Sequence, residues 1–361
     1  MERLKYHFEP QTGWMNDPNG LIFYKGKYHA FFQHNPHEPV WGPMHWGHAV
    51  SEDLVYWQEL PIALYPDMYY EDNGGCFSGS AIEKDGRIYL IYTSVSKQYG
   101  QSQSIAYSDD GINFTKYENN PVISKYPEDG SGDFRDPKVS FINGKYHMVC
   151  GSGKDEIGKV LLYTSADLFN WDYVGVLYEG AEHGTVLECP DFFELGDGFV
   201  LMFSQMGRKT HSTAFMYGDF DGVKFTVRDV FSNEIGPHIY APQTFEDAQK
   251  RRILIGWLYS WDKKLDEGAT YAGALTIPRE LSIVDGHLKI EPVKEAENLL
   301  TPWDPMVSIS GKEITINDKW DIPLRYRSEN GISDVRILKD TKTIEIFINN
   351  GEAVFTYWFG K

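Results

Sequence analysis

The stretch Gly20-Leu-Ile-Phe-Tyr-Lys-Gly-Lys-Tyr-His-Ala-Phe-Phe32 reads as a β-hairpin centred near Gly26. Three similar stretches follow. They run from Ser80 to Tyr92, from Pro137 to Val149 and from Pro190 to Phe203. Their turn glycines are Gly26, Gly86, Gly144 and Gly198, so the spacings are 60, 58 and 54 residues. A fifth copy, from Pro242-Gln-Thr-Phe245 through Ile253-Leu-Ile-Gly-Trp257, lies about one period further on. Long helical periodicity is nearly absent. Short β-rich runs alternate with Gly, Asn, Asp and Pro instead.

Each hairpin is followed by a second. The best-kept copies are His48-Ala-Val-Ser-Glu-Asp-Leu-Val-Tyr-Trp57 and Leu162-Tyr-Thr-Ser-Ala-Asp-Leu-Phe-Asn-Trp171, with a looser one from Ile105 to Phe114. Two hairpins make a four-stranded sheet, and five such sheets predict an all-β, five-bladed propeller over residues 1–295. Beyond Pro292 the repeat ends. Residues 296–361 hold short strands such as Glu313-Ile-Thr-Ile316 and Thr343-Ile-Glu-Ile-Phe-Ile348, with an Asn349-Asn350-Gly351 hairpin signal. They predict a small, reduced β-sandwich-like module.

Composition bounds the function. At 42% hydrophobic and 24% charged residues, the 361-residue chain buries a sizeable core. A formal net charge of −18 argues against nucleic acid or an anionic membrane as partner. No apolar run is long enough for a transmembrane helix. The segment Met1-Glu-Arg-Leu-Lys-Tyr-His7 lacks the apolar core of a signal peptide, so a cytoplasmic protein is expected. Cys76, Cys150 and Cys189 are odd in number and widely spaced, unlike a disulfide framework or zinc cluster. His34, His45 and His48 fit no strong metal-ligand spacing. The 15% aromatic content suits sheet packing and equally a sugar platform.

The propeller places function before any motif is named. The innermost strand of each blade lines the central axis, so residues at the strand starts meet at one end. These are Asn16-Asp17 before Pro18, Phe77-Ser78, Arg135-Asp136 before Pro137, Glu188-Cys189 before Pro190, and Tyr240 before Ala241-Pro242. Three carboxylates from three blades converge. Crowded like charges separate in pKa, which lets one carboxyl act as acid while its neighbour stays ionised.

These residues sit in seven motifs: Trp14-Met-Asn-Asp-Pro-Asn-Gly20, Phe32-Gln-His-Asn-Pro36, Trp46-Gly-His-Ala-Val-Ser51, Phe77-Ser-Gly-Ser80, Phe134-Arg-Asp-Pro137, Glu188-Cys-Pro190 and Tyr240-Ala-Pro-Gln-Thr-Phe245. From residue 6 to about 295, this order resembles glycoside hydrolase family 32, the invertase, inulinase and levanase group. The resemblance implies a five-bladed propeller with an Asp/Asp/Glu site and a retaining β-fructofuranosidase activity. Asp17 is then the nucleophile at the fructosyl C2. Glu188 is the general acid/base, and Asp136 the transition-state stabiliser, kept ionised by Arg135. Asn16, Gln33 and Ser78 offer polar contacts to fructose. Trp41, Phe77 and Trp257 offer walls, and Tyr240 a phenol near the nucleophile. Cys189 reads as a small buried filler. Two carboxyls carry the chemistry, so no metal or organic cofactor is expected.

The chain departs from the family after the propeller, where a two-sheet sandwich of well over a hundred residues is usual. Its middle is missing here, which leaves open edges that need cover from the propeller or a second chain, so a homodimer is expected. The expected substrate is sucrose or a short fructo-oligosaccharide. Arg208, Lys209, His211, Lys263 and Lys264 stand in loops where they could meet the phosphate of sucrose 6-phosphate. Four rivals share the scaffold: a pentosidase acting on arabinosides or xylosides, a fructosyltransferase, a difructose-anhydride hydrolase and a non-catalytic sugar-binding propeller.

Overall fold

In the computed structural model, which describes residues 2–258, 261, 265, 267–318 and 324–359, each repeat folds as an antiparallel blade. Blade 1 comprises Gly13–Tyr24, Lys27–Asn35, His45–Ser51 and Trp57–Leu64. Blade 2 comprises Gly75–Lys84, Arg87–Ser96, Gly100–Ser108 and Thr115–Lys116, and blade 3 Phe134–Ile142, Lys145–Lys154, Ile157–Ser165 and Asp172–Gly180. Blade 4 comprises Leu187–Leu195, Gly198–Gln205, Thr213–Phe220 and Phe225–Phe231. Blade 5 comprises Tyr240–Glu246, Arg252–Trp257, Arg279–Val284 and His287–Pro292. The five first strands neighbour one another in a closed ring about the axis.

Two local devices repeat from blade to blade. In blades 1 to 3 the first turn is tight, with both central residues at positive φ, as in Lys25 (48°) and Gly26 (81°). That conformation follows the right-handed twist of the strands. The second turn is held by an aspartate. Asp53 Oδ1 accepts the backbone N–H groups of Val55 at 3.0 Å and Tyr56 at 2.8 Å. Trp57 then donates its indole N–H to Leu54 O at 2.9 Å. Ser165, Asp167, Leu168 and Trp171 repeat that arrangement in blade 3. The Ser-x-Asp…Trp recurrence is therefore an Asx turn with an indole strut.

The ring closes by a clasp. Blade 5 sends out a long connection before its third strand, and Tyr271–Ala272 pairs in parallel with Gly13 and Trp14 of blade 1. Gly13 N donates to Thr270 O at 2.8 Å, and Leu275 N to Phe8 O at 3.0 Å. The edges of blades 1 and 5 at the seam are thereby joined.

After the propeller come two three-stranded sheets. One holds Val307–Ser310, Glu313–Ile316 and Arg325–Arg327; the other Val335–Lys339, Thr343–Ile348 and Ala353–Trp358. Ile314, Ile316, Ile337, Ile346 and Phe355 form their shared core. The propeller covers one edge of the second sheet, through residue Ile235, and the connecting segment at Thr301 covers the other. Ile235 N donates to Val354 O at 2.9 Å and Ile337 N to Thr301 O at 2.8 Å. That sheet therefore needs no second chain to cover its edges. A buried ionic chain adds to this seam. His7 bridges Asp340 and Glu345, and Arg279 bridges Glu345 and Glu234. No helix among the described residues is long and apolar enough to cross a membrane.

Candidate active site

The innermost strands all slip register at the same depth. In blade 1, Met15 faces His34 and Pro18 faces Phe32, so three steps on one strand oppose two on the other. The same slip falls at Cys76/Gly79, Arg135/Lys138, Glu188/Asp191 and Tyr240/Gln243. A bulge of this kind bends a strand and re-aims its side chains. Pro137, Pro190 and Pro242 occupy bulge positions, where the absent N–H costs no ladder bond. Asp136, Cys189 and Ala241 precede them at φ of 62°, 47° and 49°. The Asp-Pro, Cys-Pro and Ala-Pro pairs are the sequence mark of this geometry.

The bulges ring a cavity of about 390 Å³. Asn16, Asp17, Gln33, Trp41, Phe77, Ser78, Arg135, Asp136, Glu188 and Tyr240 line it together. Asp17 accepts Ser78 Oγ–H at 2.6 Å and Asn16 Nδ2–H at 3.0 Å. Asn16 is itself fixed by the Trp14 indole N–H at 2.7 Å. Burial pushes the Asp17 carboxyl up, the Ser78 and Asn16 donors pull it down, and the charge of Glu188 adds to the rise. Cys189 Sγ lies 3.5 Å from oxygens of both Asp17 and Asp136. Burial, and after it these carboxylates, push its thiol far up, which leaves it protonated and inert.

Glu188 keeps contact with solvent, its side chain 19% exposed. Tyr240 donates its phenol O–H to Glu188 Oε2 at 2.5 Å. Arg135 donates Nη2–H at 2.8 Å and Nε–H at 3.1 Å to Glu188 Oε1. Tyr240 is thus bound to the acid/base candidate, although the sequence suggested a place near the nucleophile.

Three expectations need correction. Arg135 does not pair with Asp136; its guanidinium reaches Glu188 and Asp133. Successive strand residues point apart, and the positive φ of Asp136 swings it further away. Asp136 is 3% exposed. Burial pushes its carboxyl up to about 7; Arg135 opposes this, and the charges of Glu188 and Asp17 add to it. Secondly, Trp257 is fully buried and backs the site instead of walling it. Its ring meets Trp14 edge-on at 5.7 Å and Trp261 at 5.0 Å. Thirdly, Arg208 and His211 stand away from the cavity lining, and Arg208 donates to Glu182 O at 2.8 Å. Lys209 also lies off the lining, while Lys263 and Lys264 fall outside the described residues. The ring nitrogens of His34, His45 and His48 bond to Trp14 O, Pro43 O and His29.

Sequence reasoning missed three lining residues: Gln101, Asp133 and Trp261. Trp261 is 54% exposed and stacks on Trp14 at 5.4 Å. It arrives on the closing connection, which carries no repeat pattern.

Three carboxyl groups from three propeller blades, two held by neutral donors and one by an arginine, thus meet in one cavity, the arrangement that the resemblance to glycoside hydrolase family 32 implies. The comparisons agree: residues 7–292 match the glycosyl hydrolases family 32 N-terminal domain. The chain belongs to that family. It is 40% identical to a sucrose-6-phosphate hydrolase of Zymomonas mobilis over 81% of this chain and 62% of that protein. It thus spans less than two thirds of that relative's length. A sucrose-6-phosphate hydrolase of Escherichia coli is 35% identical over 97% of this chain and 88% of its own. That alignment runs over 429 positions against a chain of 361 residues, so the relative carries segments absent here. Among solved structures, a Bombyx mori β-fructofuranosidase variant in complex with sucrose superimposes with a TM-score of 0.87. It shares 30% identity and covers 99% of this chain and 89% of its own.

Proposed function

We propose that the protein is a retaining β-fructofuranosidase that hydrolyses the fructosyl bond of sucrose or short fructo-oligosaccharides. The observation that carries this is the division of labour among the three carboxyls. Asp17 sits on the floor with two fixed hydrogen-bond donors, suited to attack on the fructosyl C2. Glu188 reaches solvent from the opposite blade and is held by Tyr240 and Arg135. It gives its proton to the leaving-group oxygen as that bond breaks. It then takes a proton from the water that opens the fructosyl–Asp17 ester. Asp136, deeper and with its Oδ2 accepting the Cys189 N–H at 2.9 Å, is placed to bind fructose hydroxyls.

The test is product analysis by anion-exchange chromatography with sucrose, 1-kestose, inulin and levan. Fructose release by the wild type, absent in Asp17→Ala, is the expected result. No fructose from any substrate, with the protein folded, refutes the reading.

A further inference from the structure

We propose that Asp133 makes the leaving-group side of this cavity selective for a neutral sugar, so that the protein prefers sucrose to sucrose 6-phosphate. The inference rests on the fructosidase reading and goes beyond it. The acid/base must face the departing oxygen, so the leaving group lies beside Glu188. The side chains that continue from Glu188 toward the mouth are Arg135, Asp133 and Gln101. Of these, Arg135 is the only cation lining the cavity among the described residues, against four carboxyl groups.

Its fork is already committed. Nε and Nη2 go to Glu188, and Nη1 goes to Asp133 Oδ1 at 2.7 Å and to Gln101 Oε1 at 3.3 Å. An arginine that recognises phosphate offers two parallel N–H groups to it. Here that would mean giving up Glu188 or Asp133. The Asp133 side chain is itself 50% exposed, whereas Arg135 is 11% exposed. A ligand entering the mouth therefore meets the carboxylate before the guanidinium. Sugar hydroxyls hydrogen-bond well to a carboxylate, and a phosphate dianion is repelled by it.

The experiment measures kcat/KM for sucrose and for sucrose 6-phosphate, in the wild type and in Asp133→Asn, at low and moderate ionic strength. Asn keeps the acceptor for Arg135 and removes the charge. The wild type is expected to favour sucrose by about tenfold or more, and Asp133→Asn to narrow that ratio about fivefold. Added salt should narrow the wild-type ratio too, because a half-exposed charge is screened. Taking the ratio cancels any shared effect of the substitution on Glu188. Equal or better turnover of the phosphorylated sugar by the wild type overturns the proposal. So does a ratio that Asp133→Asn leaves unchanged. Fructose from neither sugar instead defeats the fructosidase reading and the proposal with it.

Discussion

Replacing His7 with Gln should remove a block of pH-dependent stability that the wild type loses in mild alkali. The His7 ring is wholly buried, with Nδ1 2.9 Å from Asp340 Oδ2 and Nε2 2.8 Å from Glu345 Oε1. Burial alone pulls an imidazole down. The hydrogen bonds and charges of Asp340 and Glu345 overcome it and raise His7 from 6.5 to about 9. At about 1.36 kcal/mol per pKa unit, that gap corresponds to roughly 3 kcal/mol. The folded state binds this proton more tightly than the unfolded chain does. Its contribution is therefore complete below pH 6.5 and disappears as pH rises through 9. Asp340, held well below the usual carboxylate range despite its burial, reports the same interaction from the acid side, so the two are not added. Urea unfolding at pH 6, 7.5 and 9 reads the effect. Wild type should lose about 3 kcal/mol relative to His7→Gln across that range. At pH 6 the variant should be less stable by about 3–5 kcal/mol, since a buried pair has lost its charge partner. A wild-type-minus-variant difference that stays constant from pH 6 to 9 refutes the reasoning.

Four further outcomes are expected. Asp136→Asn should abolish turnover yet stabilise the protein at pH 8. Its carboxyl titrates near 7 when folded, so stability is lost as pH rises from 3.8 to 7, and the amide removes that loss; thermal melting at pH 5 and 8 checks it. Tyr240→Phe should lower kcat/KM by about 10- to 100-fold by deleting a charge-assisted hydrogen bond to Glu188, and a change under twofold would remove Tyr240 from the acid/base machinery. Trp41→Ala, cut at the cavity mouth, should raise KM more than it lowers kcat. Trp257→Phe, cut in the core behind it, should lower the melting temperature and leave KM unchanged.

Much of the blade plan is written locally. A glycine turn and a Ser-x-Asp turn each need only a few neighbouring residues, so their recurrence shows in the chain. The bulges are equally legible, because proline marks a strand position without a ladder bond and so points to Asp136 and Cys189. What escapes the sequence depends on distant segments. The pairing of Arg135 with Glu188 joins two blades, and adjacency to Asp136 is a misleading guide to it. Gln101 and Asp133 come from a strand start and a loop that only the ring brings to the mouth. Trp257 occupies a pattern position equivalent to a wall, yet Trp14 and Trp261 close over it. The cover on the last sheet also had to be seen, since residues 233–238 and Thr301 have no strand pattern of their own.

The clasp sets a timetable for synthesis. The first strand of blade 1 emerges from the ribosome early, but its parallel partner Tyr271–Ala272 is encoded some 250 residues later. At roughly 5–20 residues per second, blade 1 waits on the order of tens of seconds with one edge unpaired. An unpaired strand edge invites another nascent chain. The yield of active protein in cells should thus depend on translation speed and on holding chaperones well before it depends on the stability of the finished ring.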